Sequence, residues 1–124
     1  MNEKEQRNAN TAHLYIELYN NDIERFVPEC YTPDCKAHVM GAGVIEGAEK
    51  FLEVERKVLK SAPKRRMRLD KMHVTGDAVT VEVTLLNPDA GADWSLPFIA
   101  ILNMRDGKIA IDRSYADWSR WPGL

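Results

Sequence analysis

The chain has 124 residues and a formal net charge of −2, from 17 Lys and Arg and 19 Asp and Glu. A chain of this length is expected to form one domain that buries roughly two-thirds of the surface its unfolded form exposes, which leaves room for one core and one pocket. The small negative charge argues against a nucleic-acid-binding protein, because such a protein needs a strong basic excess arranged on one surface.

Neither a membrane segment nor an export signal is found in the sequence. No apolar stretch approaches the roughly 18 residues that a membrane helix needs, and the polar start Met1–Arg7 lacks the apolar core of a signal peptide. We therefore expect a cytoplasmic protein with no membrane partner. In that reducing compartment Cys30 and Cys35 are expected to be free thiols, and two cysteines without a second pair do not make a zinc site.

The first part of the chain has the apolar periodicity of helices. A helix from about Lys4 to Tyr19 is predicted from apolar residues at three- and four-residue spacing, which are Leu14, Tyr15, Leu18 and Tyr19. Asn21 followed by Glu24 resembles a capping box and predicts the start of a second, short helix. Pro28 lies beyond the first turn of this helix, which is therefore expected to be irregular.

An edge strand and a third helix are predicted next. The segment Lys36 to Met40 is long enough for one short edge strand. Gly47 begins a helix that ends before Pro63. A basic run follows, made of Lys60, Lys64, Arg65, Arg66 and Arg68. We interpret this run as a solvated connector between a helix and a strand, with contact to a phosphate-bearing or coenzyme A-linked substrate as the alternative.

From Met67 onward the apolar period changes from helical to two, as in the alternation of Val79, Val81 and Val83 with polar residues. Three turn signals divide this half into four consecutive strands joined as hairpins; they are Thr75–Asp77, Asn87–Gly91 and Arg105–Gly107. A change of phase predicts a bulge near Lys71. Helices followed by a meander indicate an α+β fold, with a curved antiparallel sheet and the helices packed on one face.

Motifs along essentially the whole chain resemble those of the nuclear transport factor 2-like superfamily. They are Tyr15–Leu18, Asp22–Glu24, Tyr31–Asp34, His38, Glu46–Gly47, Gly107–Ile109 and Tyr115–Trp118. Within the superfamily the chain is most similar to the SnoaL-like polyketide cyclases and the ketosteroid isomerase group. The resemblance implies one SnoaL-like domain over residues 1–124, folded as a cystatin-like α+β barrel in which a cone-shaped sheet wraps about three helices and an apolar pocket. It also implies a homodimer.

Three catalytic candidates follow from this resemblance. SnoaL-like cyclases have a histidine near the end of a Tyr-x-Pro-Asp segment, which His38 matches, and an acidic base on the final strand. The position of that base falls on Ser114, and we take Asp112, two residues earlier on the same strand face, as its shifted equivalent. Tyr15 matches the helical tyrosine of ketosteroid isomerase and is interpreted as the donor to a developing oxyanion. His38 is interpreted as the group that returns or relays a proton.

Each candidate also has an ordinary structural interpretation. Asp112 could pair with Arg113 or Arg105 at a surface edge, His38 could be a hydrogen-bonded wall residue, and Tyr15 could be a core residue with its hydroxyl at the edge. The sequence leaves these alternatives open.

The chain departs from two related mechanisms. The base aspartate of ketosteroid isomerase falls on Val39, and the central strand Phe98–Leu102 carries no acid. The limonene epoxide hydrolases use an aspartate, arginine and aspartate set, but Ser114 stands where the closing aspartate would fall. Neither mechanism transfers intact.

Six further residues are expected to bind substrate: Tyr19, Phe51, Trp94, Phe98, Ser114 and Trp118. The tail Trp118–Leu124 is expected to close the pocket mouth or cross a dimer interface, with core and interface packing as the default. His13 lies on the exposed side of the first helix and His73 on another strand, so no second histidine stands at metal-ligand spacing and neither a metal nor a cofactor is expected.

These interpretations lead to one main functional hypothesis. The chain is expected to be a cofactor-independent acid/base enzyme, in which an enclosed pocket holds an apolar small molecule with a carbonyl or hydroxyl group. Aldol-type cyclase, isomerase and dehydratase reactions all fit, which places the enzyme in the isomerase or lyase class. The alternatives are a non-catalytic ligand-binding or dimerisation domain and, with less support, an epoxide hydrolase.

Overall fold

A computed structural model describes residues 1–121 of the chain as three helices, a six-stranded sheet and a short 3₁₀ turn. The helices are α1 (Glu3–Asn21), α2 (Ile23–Cys30) and α3 (Ala48–Ser61). The strands are β1 (Tyr31–Val39), β2 (Gly43–Glu46), β3 (Arg66–Thr75), β4 (Ala78–Leu86), β5 (Ser95–Arg105) and β6 (Lys108–Tyr115). The 3₁₀ turn is Trp118–Arg120.

The helices form where their apolar periodicity predicts them, but one start signal was misread. Tyr15, Leu18 and Tyr19 form the buried face of α1. The predicted capping box of Asn21 and Glu24 is wrong, because Asn21 is the last residue of α1 and its side-chain amide donates to the Glu17 carbonyl. The N-cap of α2 is instead Asp22, without a side-chain cap, and α2 continues through Pro28 to Cys30.

The predicted edge strand at residues 36–40 is both longer and more central than expected. It extends back to Tyr31, and it lies between β2 and β6 rather than at the edge of the sheet. Pro33 explains the misreading, since proline cannot donate to a strand ladder. The structure accommodates it where the register of β1 against β6 shifts between Tyr31 and Lys36. The edge strand at this end of the sheet is β2, which is not predicted from the sequence.

The second half of the chain folds as predicted. β3 to β6 form consecutive antiparallel hairpins, and the register shifts between Leu69 and Lys71, where the bulge was expected. The strand order is β2-β1-β6-β5-β4-β3. β1 and β6 are parallel, so the curved, unclosed sheet is mixed rather than wholly antiparallel. The α+β prediction is confirmed.

The core lies between the three helices and one face of the sheet. α1 contacts β3 and β4, whereas α2 and α3 contact β1 at the other end of the sheet. The buried residues of this layer include Phe26, Val81, Leu96 and Leu102. Cys30 and Cys35 are buried here as free thiols. Within residues 1–121, no helix has the length and apolar character needed to cross a membrane.

Candidate active site

A cavity opens between the helices and the sheet, and its wall is mainly aromatic. The empty space is about 620 Å³ when the open solvent at its mouth is counted with it. Eight aromatic side chains line it: Tyr15, Tyr19, Phe26, Tyr31, Phe51, Phe98, Trp118 and Trp121. Four other polar or charged residues also line the cavity, namely His38, Glu55, Asp112 and Ser114. The cavity is therefore an apolar enclosure with a few polar groups, the usual character of a small-molecule site.

The aromatic wall is held by ring-to-ring packing. The rings of Tyr31 and Phe51 meet edge to face with centroids 4.9 Å apart, and Phe26 packs against both at 5.6 and 6.2 Å. At the other side, Phe98 lies 5.7 Å from Trp118. Such pairs add stability beyond the area they bury, so the wall is preorganised.

Asp112 lies on the cavity wall, at 4 % exposure. It occupies the inner face of β6 together with Ser114, because successive strand residues alternate between faces. Its Oδ2 accepts a hydrogen bond from the Tyr31 hydroxyl at 2.6 Å, and its Oδ1 accepts one from the Ser114 hydroxyl at 2.8 Å. A surface ion pair with Arg105 is excluded, since that guanidinium binds Asp34.

Burial raises the pKa of Asp112 above its ordinary value. The two hydrogen bonds from Tyr31 and Ser114 oppose this by stabilising the anion, as does positive charge on His38 and Arg113. The result is a carboxylate that is more basic than an exposed aspartate and is held in one orientation.

Tyr15 and His38 lie on the same cavity. The ring of Tyr15 packs against Phe26 and Tyr31, with centroids at 5.4 and 6.4 Å. Burial, and after it the charge of Asp112, raises the pKa of Tyr15, so its phenol stays protonated as a donor. His38 is beside Arg113 in the parallel ladder, one position from the Ala37–Asp112 pair. All three predicted catalytic candidates are therefore lining residues of one cavity, although His38 is one strand position out of phase with the inward-facing Asp112.

Tyr31 is a site residue to which the sequence assigned no role. It lies at the start of β1, fully buried, and it holds Asp112 through the hydrogen bond described above. The sequence motif contains Tyr31, but only the parallel pairing of β1 with β6 brings it to Asp112.

Glu55 is a second acid on the cavity wall and was also missed. It lies on α3 between Phe51 and Val58, which are the buried residues of that helix. A charged residue at this spacing on an apolar helix face was the available signal. The pKa of Glu55 is raised to about 7, chiefly by burial; the nearby charge of Arg65 opposes this rise and the charge of Asp112 adds to it.

Arg65 corrects the interpretation of the basic run as wholly solvated. It is 4 % exposed, and its guanidinium lies 4.2 Å from the centre of the Tyr19 ring. It also donates to the Tyr19 carbonyl at 3.4 Å. The cause is its position at the end of the α3–β3 connection, where the chain turns back under α1. The other members of the run are exposed.

The substrate-binding candidates divide into two groups. Five of the six line the cavity; they are Tyr19, Phe51, Phe98, Ser114 and Trp118. Trp94 is not among the lining residues, because it lies behind Trp121, with ring centroids 5.9 Å apart, and under the guanidinium of Arg120. Trp121 takes the wall position instead, and Trp118 donates its indole N–H to the Ser114 carbonyl. The end of the predicted tail, residues 122–124, lies outside the described residues.

The polar groups of the cavity suit proton transfer. Within residues 1–121, no cluster of three or more His, Cys, Asp and Glu side chains is placed to hold a metal ion. His13 is exposed, and His73 binds Glu82 on the sheet at 2.7 Å. The residues that line this mainly apolar space include two carboxylic acids, three tyrosines, one serine and one histidine.

Comparison with known proteins agrees with this architecture. A protein from Jannaschia sp. CCS1 that carries the name SnoaL-like polyketide cyclase superposes with a TM-score of 0.84 at 18% identity, over 96% of this chain and 91% of that chain. One from Kribbella flavida DSM 17836, named as a ketosteroid isomerase, superposes with a TM-score of 0.77 at 16% identity, over 91% and 79%. At these identities the likeness shows the fold alone. No curated relative matches the chain. The family model described as SnoaL-like domain matches residues 12–111, and the chain therefore belongs to the SnoaL-like domain family.

Proposed function

We propose that this chain is a cofactor-independent acid/base enzyme that acts on an apolar, carbonyl-bearing small molecule held in the cavity. The observation that carries the proposal is the buried carboxylate of Asp112, whose two oxygens are each fixed by a hydroxyl donor on a mainly apolar wall. A carboxylate in this setting is suited to remove a proton from carbon next to a carbonyl.

Asp112 acts as the base in this mechanism. Each of its oxygens accepts one hydrogen bond and keeps a free lone pair for a substrate proton. The apolar surroundings strip water from the anion and so raise its basicity, while the donors keep it aimed at one place.

Tyr15 stabilises the charge that develops in the reaction, and His38 transfers the proton. Removal of the proton leaves an enolate, whose oxygen needs a hydrogen-bond donor that is already in position. The protonated phenol of Tyr15 supplies that donor, and His38 returns or relays the proton.

The structural neighbours support this reaction class through their names, polyketide cyclase and ketosteroid isomerase, since both reactions begin with proton removal next to a carbonyl. The proposal includes an isomerase or lyase reaction and a homodimer, as the family resemblance implies, and a cytoplasmic location, as expected from the sequence.

The test is hydrogen–deuterium exchange on carbon, which needs no knowledge of the natural product. Benzylacetone, a small aryl ketone, is incubated with the protein in deuterium oxide, and loss of the proton signals next to its carbonyl is followed by NMR. We expect wild-type protein to accelerate the exchange and Asp112→Asn to lose about a hundredfold of that acceleration or more. The matched control is Asp93→Asn, an exposed aspartate outside the cavity.

The exchange experiment also separates the enzyme from a binding domain. The aromatic lining alone would suit an apolar ligand without any chemistry. If benzylacetone binds tightly but exchanges no faster than in buffer, or if Asp112→Asn exchanges as fast as wild type, the binding-domain function replaces the one proposed.

A further inference from the structure

Glu55 places a second carboxyl group on the cavity wall, on a different element from Asp112. Asp112 projects from β6 in the sheet, whereas Glu55 projects from α3 in the helical layer, and both line the same space. The two acids therefore line the same cavity from different elements. Tyr15 and Tyr19 of α1 also line it.

The Glu55 carboxyl lacks the partners that hold Asp112. Its Oε2 is buried and has no hydrogen-bond partner among residues 1–121. Arg65 is the neighbouring cation, but its guanidinium lies over the Tyr19 ring and donates to the Tyr19 carbonyl, and its Nε is also buried without a partner. Arg65 therefore supplies charge near Glu55 without a hydrogen bond to it.

A buried carboxyl oxygen without a partner, such as Oε2 of the half-buried Glu55, is costly to keep. Buried polar groups in folded proteins are almost always hydrogen-bonded, and leaving one unpaired costs free energy. A leucine or methionine between Phe51 and Val58 would fill the same helix position without that cost. Glu55 is therefore best explained by a group that arrives with the ligand and bonds to its carboxyl.

We propose that Glu55 is the acid partner of Asp112, and that the substrate carries a hydroxyl group beta to its carbonyl which lies against Glu55. This inference rests on the proposed function, because it assigns the second proton transfer of the same site. The substrate class is a β-hydroxy ketone, and the reaction is its dehydration to an unsaturated ketone.

The proton and electron balance of this step is complete. Asp112 takes the proton from the carbon between the carbonyl and the hydroxyl-bearing carbon, and the electrons of that C–H bond form the new C=C bond. The C–O bond breaks, its electron pair leaves with oxygen, and Glu55 gives its proton to that oxygen, which departs as water. Asp112 is then protonated and Glu55 ionised, and proton exchange with solvent restores both.

The protonation state of Glu55 agrees with this role. Burial keeps its pKa near neutrality, so a large share of Glu55 carries the proton it must donate. The charged and titratable groups that influence Glu55 or the cavity around it are Arg65 before β3, Asp112 on β6, Tyr15 and Tyr19 on α1, and Tyr31 and His38 on β1.

The test compares two ketones of one skeleton. The aldol of benzaldehyde and acetone is a β-hydroxy ketone that dehydrates to benzylideneacetone, which is followed by its ultraviolet absorbance, and benzylacetone lacks the hydroxyl. We expect Glu55→Gln to slow dehydration of the aldol about a hundredfold and to slow proton exchange on benzylacetone at least tenfold less. Glu53→Gln, an exposed glutamate on the same helix, should leave both rates as in wild type.

Binding gives a readout that does not depend on turnover. Trp118 and Trp121 line the cavity, so their fluorescence reports its occupancy. Wild-type protein and Glu53→Gln should bind the aldol more tightly than benzylacetone, and Glu55→Gln should lose that preference. Far-ultraviolet circular dichroism of Glu55→Gln confirms that it is folded.

The outcomes separate this inference from the proposed function. Equal slowing of both reactions by Glu55→Gln, an undiminished preference for the aldol, or no dehydration by wild-type protein would overturn the role of Glu55 while benzylacetone exchange by Asp112 still stood. Absence of Asp112-dependent exchange on benzylacetone would instead remove the proposed function itself.

Discussion

Asp112 is governed by two opposed effects, and Tyr31 is the residue that sets the balance between them. Burial favours the neutral acid, while the hydrogen bonds from Tyr31 and Ser114 favour the anion. Tyr31 also packs against Phe51, a contact that a phenylalanine ring would preserve. The hydroxyl of Tyr31 can therefore be removed with little change in packing.

We predict that Tyr31→Phe raises the pKa of Asp112, because it removes a donor that stabilises the anion. The base works only when ionised, so activity is lost as pH falls through its pKa. In the variant this loss should begin at a higher pH, and the pH profile of benzylacetone exchange measures it. Tyr115→Phe, an exposed tyrosine on the sheet, is the control. An acid limb that stays in place or moves to lower pH would contradict the prediction.

For single residues, the sequence predicts which side chains line the cavity better than it predicts which residues they contact. Strand alternation is enough to place Asp112 and Ser114 on one face. Tyr31 and Arg65 could not be assigned in this way, since their contacts depend on which strand pairs with β1 and on where the α3–β3 connection turns. The helical periodicity places Glu55 on the apolar face of its helix. Glutamates are so common on helix surfaces that this pattern alone does not identify Glu55 as a cavity residue.

Helix α1 forms side-chain hydrogen bonds to two hairpin turns of the sheet. Asn8 donates its side-chain amide to the Gly76 carbonyl in the β3–β4 turn, at 3.2 Å. Thr11 donates its hydroxyl to the Gly107 carbonyl in the β5–β6 turn. Both glycines have a positive φ, +57° and +81°, which these tight turns require.

We predict that Gly107→Ala destabilises the fold by about 1–2 kcal/mol, chiefly through the left-handed backbone. An added Cβ would lie 2.9 Å from the Arg7 side chain, but that side chain is long and exposed and can move aside. Gly76→Ala, where a Cβ meets nothing within 4 Å, should therefore cost a similar amount. Urea unfolding measures both. A cost several kcal/mol larger for Gly107→Ala would show that Arg7 is held in place.

These elements show where sequence patterns succeed. The hairpins from β3 to β6 follow from glycine-containing turns and strict alternation, which are local signals. β1 and β2 were misjudged because Pro33 interrupts the local strand signal and because a parallel partner 70 or more residues away leaves no local trace.

Over the whole molecule, buried and exposed acids respond to pH in opposite senses. Several exposed carboxylates have lowered pKa values from cation or hydroxyl partners, among them Glu24, Glu29, Asp34 and Asp70. Their stabilisation is present above their unfolded pKa and is lost as pH falls through the folded value. Glu55 and Asp112 have raised pKa values, so their contribution is full at low pH and is lost as pH rises.

We predict that Glu55→Gln becomes more stable relative to wild type as pH rises from 4.5 to about 7, and that the gain levels off above that range. Wild-type protein must ionise a buried acid across this window, whereas glutamine does not titrate. By linkage the change in the difference is at most about 3 kcal/mol. Denaturant unfolding of both proteins across this range measures it, with Glu53→Gln as the control. A difference that is flat with pH would contradict the raised pKa of Glu55.

The SnoaL-like fold could be identified from the order of its elements and its motifs, but the contents of its cavity could not be fully identified. The residues that line it come from all three helices, from all six strands and from the terminal 3₁₀ turn region. Which residues line the cavity depends on how the helices pack on the sheet. The spacing of residues within one helix or strand does not predict that packing.

The parallel pairing of β6 with β1 also dictates the order in which the molecule can assemble. β6 is inserted between β1 and β5, and the Tyr31–Asp112 hydrogen bond joins residues 81 positions apart. Closing so long a loop is entropically slow, so the hairpins and helices form first. Until β1 pairs with β6, the base Asp112 and the Tyr31 hydroxyl that orients it remain on separate folding units. Catalytic competence is therefore expected to return only with the last step of refolding.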